Sequence, residues 1–226
     1  MKRLYLKGLN FLEKWYNTIL YYLLGGNGVV LVFHDVSNDF EKDESCQIRV
    51  DTFRRIIERI VSKYRMVSVD QFLAKGEKSG TVITFDDVPS SFLANAYPIL
   101  KEKQIPFTLF VAKKYVGEIG FLSVEDIMSL DKDPLCTIGA HTCNHVQLRN
   151  ERNSADDIKE SKSYLEQLLG HPINYMAYPY GRHDSVSKRN KGEVKAAGFK
   201  AAFSTIQAFV PKKFDKYFIP RIELIQ

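Results

Sequence analysis

Thr81-Val82-Ile83-Thr84-Phe85-Asp86-Asp87 is the stretch on which the fold turns. β-branched and aromatic residues run without a charge into two acids. The run has strand length and no strict alternation, so it reads as a strand covered on both faces. Val29–Phe33 (VVLVF), Phe107–Val111 (FTLFV), Cys136–Ala140 (CTIGA) and Tyr175–Tyr178 read the same way, with two last short strands at Lys200–Ser204 and Phe218–Ile222. Helical patterns lie between them. One follows Asp51, its expected cap, with Phe53, Ile56, Ile57, Ile60 and Val61 on one face. Others run from Phe92 to Lys103, from Ser123 onward, from Ser154 to Leu169 with Gly170 as stop, and from Lys191 to Ala197. Strands alternating with helices predict a parallel α/β sheet. Seven strands fit a doubly wound sheet or a closed barrel, and periodicity does not choose.

The composition is that of a folded domain. The 226 residues are 45% hydrophobic and 12% aromatic, which excludes a disordered or fibrous chain. Three cysteines, an odd number, make no disulfide framework. A net charge of +5 admits an acidic polymer or a membrane surface as partner and does not call for nucleic acid. Residues 1–24 (MKRLYLKGLNFLEKWYNTILYYLL) carry Lys2, Arg3, Lys7 and Lys14 against Glu13, then an apolar run from Trp15 to Leu24 that Gly25 and Gly26 cut short. That run is about half of the roughly 20 residues a membrane span needs. The expectation is an amphipathic helix over 1–28, packed on the domain or lying on a membrane with Trp15, Tyr21 and Tyr22 at the interface. Residues 29–226 form the domain proper. With no clear leader and reduced cysteines, the expected location is cytoplasmic or peripheral to the membrane.

The chemistry-bearing residues sit just after strands, the edge where parallel α/β folds build active sites. His34-Asp35 follows the first strand, and Asp86-Asp87 closes the second. Alternation sends consecutive strand residues opposite ways, so one acid can face a cation and the other the reaction centre. His141-Thr142-Cys143-Asn144-His145 follows the fourth strand. Two histidines at this spacing can converge on one cation. Residue 142 is Thr, so the helical zinc-protease motif is excluded. Cys143 reads as an inert side chain. Pro179-Tyr180-Gly181 follows the fifth strand and can fix an N–H toward an anionic centre. Two histidines and one aspartate would leave open metal positions, the mark of a catalytic site.

Thr84-Phe85-Asp86-Asp87, His141-Thr142-x-x-His145 and Tyr178-Pro179-Tyr180-Gly181 resemble, in that order, the motifs of polysaccharide deacetylases of carbohydrate esterase family four. Val32-Phe33-His34-Asp35 and Ile219-Pro220-Arg221-Ile222 resemble the subgroup acting on poly-N-acetylglucosamine and related surface glycans, and the resemblance spans about residues 29–224. It implies an irregular (β/α)7 barrel and a metal-dependent hydrolase that removes N-acetyl groups from a glycan. Asp87, His141 and His145 would hold a divalent metal, zinc the expected ion. Asp86 would be the base, the Tyr180 N–H an oxyanion donor and His34 the acid.

Two positions depart from the pattern. The Gly that usually follows the paired acids is Val88, and the Arg that usually precedes Pro-Tyr-Gly by two residues is Ala177. Arg221 is expected to take over the orienting role. Two other functions stay open: a glycan-binding module without catalysis, and a non-haem iron oxygenase built on a two-histidine, one-carboxylate triad. Phe33, Tyr178 and Tyr180 are either sugar-stacking rings or packing. Loops 35–50 and 182–191 carry no readable specificity.

Overall fold

A computed structural model describes residues 28–38, 46–74 and 80–224. The helix expected over residues 1–28, and its lipid contact, lie outside the described residues but for Gly28.

The apolar runs become strands β1 (Val29–Phe33), β4 (Thr81–Asp86), β5 (Phe107–Val111), β6 (Cys136–Ala140), β7 (Tyr175–Ala177) and β8 (Ala201–Phe203). The last strand, expected at Phe218–Ile222, falls later as β9 (Ile222–Glu223), because Ile219 forms only an isolated bridge to Phe203. They pair in the order β8-β7-β6-β5-β4-β1-β9, every pair parallel. Ile219, just ahead of β9, bridges back to Phe203 of β8, while Ile222 pairs with Leu31 of β1. One short segment therefore touches both ends of the sheet, and the sheet curls into an irregular (β/α)7 barrel. Of the two architectures compatible with the strand count, closure selects the barrel.

Side chains divide by the period of two. Leu31, Phe33, Ile83, Phe85, Leu109, Ile138 and Met176 pack outward into one cluster with the helices. Val30, Val82, Phe110, Tyr175, Ala177, Ala201 and Phe203 form the other, inside the curl. Rings chain the outer cluster together: Phe33 meets Phe53 edge-on at 5.0 Å, and Phe85 meets Phe92 at 4.8 Å. Each fully buried ring of this kind contributes about 2–3 kcal/mol. Gly139 of β6 makes room for the inner cluster, because a Cβ there would stand 2.6 Å from the Phe110 ring.

Helices α1 (Val50–Val61), α2 (Val69–Leu73), α3 (Tyr97–Glu102), α4 (Val124–Asp131), α5 (Ser154–Leu169) and α6 (Lys188–Ala196) fill the connections. A wide helical turn, Phe92–Ala96, leads into α3. Asp51 is not the cap of α1. Arg49 holds that position without a side-chain bond, and Asp51 lies in the first turn, where its charge faces the positive helix end. Helix α6 begins earlier than its apolar pattern suggests, because Ser187 and Asn190 cap it reciprocally. Gly170 ends α5 in the left-handed conformation. Loop 35–50, expected to set specificity without a readable code, contains β2 (Asp35–Val36) and β3 (Gln47–Ile48), a parallel pair of two residues each. No helix among the described residues is long and apolar enough to cross a membrane.

Candidate active site

Asp86 ends β4 on the inner face, two residues beyond Thr84. The chain then leaves the strand by a tight three-residue turn: Val88 N–H donates to Asp86 O at 2.6 Å, with Asp87 at φ 60° in its centre. This is the rarer, strained form of γ-turn. It changes the expected geometry. Asp87 no longer alternates with Asp86, and both carboxylates meet one imidazole. His141 Nε2 lies 3.9 Å from Asp86 Oδ2 and 3.6 Å from Asp87 Oδ1.

His141 immediately follows β6 and is buried. Its Nδ1 is 2.8 Å from Ala177 O. A carbonyl can only accept, so Nδ1 carries the proton and Nε2 keeps its lone pair toward the aspartates. Burial also holds the imidazole below its usual pKa, against the pull of the two acids. The loop beyond returns His145 to the same point. Thr142 and His145 both have positive φ, and Thr142 Oγ1 accepts the His145 N–H at 3.1 Å. His145 Nε2 stands 3.1 Å from Asp87 Oδ1. Asp157 of α5 pins this loop by accepting from Cys143 N, Asn144 N and Asn144 Nδ2. Nothing in the sequence marked Asp157, because the pairing is tertiary. Cys143 takes no part in the cluster, and burial pushes its thiol up to about 12.

Ligand atoms of Asp87, His141 and His145 all lie within 4.8 Å of one another. Asp87 Oδ1 is buried and makes no hydrogen bond. Burial raises the Asp87 carboxyl, but His145 and His141 outweigh it and keep it ionised. One orphaned carboxylate oxygen and two imidazoles, with the His141 lone pair directed at it, fit a divalent cation of the zinc class.

Asp86 is held differently. Arg221 Nη1 donates to its Oδ1 at 2.7 Å and Nη2 to its Oδ2 at 2.6 Å, both side chains being buried. Arg221 Nε donates to Ser204 O at 2.8 Å, Nη1 also reaches Thr84 Oγ1 at 3.1 Å, and the guanidinium sits over the Phe110 ring. Burial alone would raise the Asp86 pKa; Arg221 and His141 overcome it and hold the acid well below the usual range.

Tyr180 sits on a second strained turn of the same kind, with φ 61° and Gly181 N–H donating to Pro179 O at 2.7 Å. Gly181 is required here, since a Cβ would stand 2.5 Å from Thr205 N. The Tyr180 ring is exposed and lies 5.3 Å from the His145 ring. Phe33 and Tyr178 are buried and pack, so neither offers a sugar platform. His34, just past β1, turns Nδ1 toward Glu223 Oε1 at 3.4 Å. The fold thus brings Asp86, Asp87, His141, His145 and Arg221 together, with Tyr180 beside His145, while His34 stands on the same strand-end rim next to β4.

A family model described as polysaccharide deacetylase matches residues 74–202. The chain belongs to the polysaccharide deacetylase family. Among curated relatives, the poly-beta-1,6-N-acetyl-D-glucosamine N-deacetylase of Staphylococcus aureus is 30% identical over 163 residues, covering 66% of this chain and 55% of the relative. The protein of the same name from Staphylococcus epidermidis is 28% identical over 165 residues. The chain thus spans about half the length of the curated relatives it matches. Among solved structures, IcaB from Ammonifex degensii has a TM-score of 0.77 at 26% identity, covering 88% of this chain and 92% of that one. The Streptococcus pyogenes deacetylase PplD, solved with acetate, has a TM-score of 0.79 at 20% identity over 88% of this chain and 92% of its own, and shares the fold. In this member of the family Val88 adopts φ 53° where the family pattern has Gly, and its side chain is buried.

Proposed function

We propose that this chain is a metal-dependent hydrolase that removes N-acetyl groups from glucosamine residues of a surface polysaccharide or its precursor. The observation that carries the reading is the convergence of Asp87, His141 and His145 next to an aspartate held in a bidentate clamp. Asp87 and the two Nε2 atoms would hold the cation. A divalent ion there would polarise the acetyl carbonyl and lower the pKa of a nearby water toward about 7. Asp86, fixed in rotamer by Arg221, accepts the proton of the attacking water. The Tyr180 N–H, set by its strained turn, donates to the developing oxyanion. His34 gives a proton to the departing sugar amine, with Glu223 behind it.

Arg221 answers the missing arginine at position 177. Its guanidinium reaches Asp86 from the closing segment, so the clamp supports catalysis over a pure binding module. The curated relatives' names support the glucosamine polymer as substrate. The basic, aromatic segment 1–24 supports a peripheral membrane contact, which a liposome flotation of the whole chain tests. The test of function itself is metal analysis with acetate release from β-1,6-linked N-acetylglucosamine oligomers. One tightly bound ion and acetate release are expected. A metal-loaded protein that releases no acetate from any N-acetylhexosamine oligomer would point to the binding module. Activity that depends on dioxygen would point to the oxygenase.

A further inference from the structure

Two stretches of backbone pairing meet beside β1. The β2–β3 register joins Asp35 to Gln47, so the residues one step earlier, His34 and Cys46, lie side by side. The β1–β9 register joins Val32 to Glu223 and brings that carboxylate to the same rim. Ligand atoms of His34, Cys46 and Glu223 all lie within 4.8 Å of one another. His34 Nδ1 is inaccessible to solvent and makes no hydrogen bond: Glu223 Oε1, 3.4 Å away, is near enough to attract charge but not aligned to accept. A buried ring nitrogen without a partner calls for an explanation. The surroundings are stiff, since Gln47 Nε2 and Ser91 Oγ both donate to the Asp35 carboxylate and Asn95 Nδ2 donates to Val36 O at 2.7 Å.

We propose that His34, Cys46 and Glu223 form a second metal site, distinct from the Asp87 cluster, that takes a zinc-class divalent ion. An imidazole nitrogen, a thiolate sulfur and a carboxylate oxygen, three protein ligands in all, suit that ion and leave a position for water. Binding releases the Cys46 thiol proton to solvent. A cation on His34 Nδ1 occupies the place of the second ring proton, so His34 can no longer pass through the imidazolium form. On the catalytic reading above, which this consequence rests on, the second ion is inhibitory.

The site is tested by cobalt and zinc titration of the whole protein, of Cys46→Ser and of His141→Ala. Cobalt should give a near-ultraviolet thiolate-to-metal charge-transfer band in the wild type and in His141→Ala, and none in Cys46→Ser. Zinc dialysis should find two ions per wild-type chain, with the second lost from Cys46→Ser because the thiolate ligand itself is gone. Cys46 is exposed, so the serine variant should fold and keep the basal deacetylation rate while escaping inhibition by excess zinc. One ion with no thiolate band, lost in His141→Ala, overturns the second site and leaves the first. One ion with a thiolate band that survives His141→Ala upholds the second site and removes the first. A thiolate band that persists in Cys46→Ser also overturns the proposal.

Discussion

Asp86 and Arg221 are neighbours only because the barrel closes, and the energetics of the site rest on that pair. Both are buried, so each without the other is an uncompensated charge. Arg221→Ala should cost roughly 3–5 kcal/mol of stability, read as a lower urea midpoint. Arg221→Lys keeps the charge but loses the two-point clamp and should lower kcat more than it raises KM; unchanged kcat would remove Arg221 from the proposed mechanism. Asp86→Asn should retain metal and lose about 10²–10⁴-fold in the chemical step. Normal turnover by that variant would refute the base assignment. Val88 shows the same competition in miniature. Val88→Gly relieves about 1–2 kcal/mol of positive-φ strain but gives up a buried side chain of about 1.5–3 kcal/mol and adds chain entropy. The expected result is a modest net destabilisation in urea melts.

At the scale of elements, the clamp depends on a glycine that never touches it. Gly139 of β6 lets the Phe110 ring lie across the strand, and Phe110 supports the Arg221 guanidinium. Gly139→Ala should cost about 1–3 kcal/mol by overpacking. By shifting Phe110 it should also lower kcat, in proportion to any change in the Asp86–Arg221 geometry. A stability loss with wild-type kcat would uncouple the ring from the clamp. The loops of the candidate site follow one device: Asp87 and Tyr180 each centre a strained turn after a parallel strand. The strain is held by the strands behind, as it is at many functional sites.

Across the whole molecule, the cluster of Asp86, Asp87, His141 and His145 governs how stability answers to pH and to ions. His141, Asp86 and Asp87 all have lowered native pKa values, so the native state binds fewer protons there than the unfolded chain. Their stabilisation is present above the unfolded values, about 6.5 for His and 3.9 for Asp, and is lost as pH falls through the native ones. His171, raised by Asp131, acts in the opposite sense, but it is half-exposed and screened. Metal-free protein should therefore lose urea resistance between about pH 7 and 4. A midpoint that rose on acidification would contradict the buried, neutral His141. Zinc at about 100 times its Kd should add about 2.7 kcal/mol, a shift of roughly 5–10 °C in Tm, and Asp87→Asn should abolish most of it.

The first five long apolar runs were legible as strands in the chain itself, because burial on two faces writes a local apolar run, whereas the two-residue strands β2, β3 and β9 carry no such run. The candidate cluster was legible too, since Asp86 ends an apolar run and Asp87, His141 and His145 follow one within a few residues. Periodicity left open which architecture the strands adopt, which the motif resemblance supplied as the irregular (β/α)7 barrel, and neither told which partners meet. Asp86 and Arg221 stand 135 positions apart, and no local pattern encodes a contact of that span. Closure through Ile219, the strained turn that brings Asp87 alongside Asp86, the Asp157 brace and the meeting of His34, Cys46 and Glu223 are consequences of register between distant strands. Periodicity reports which face of an element is buried; only the folded chain decides what that face is buried against.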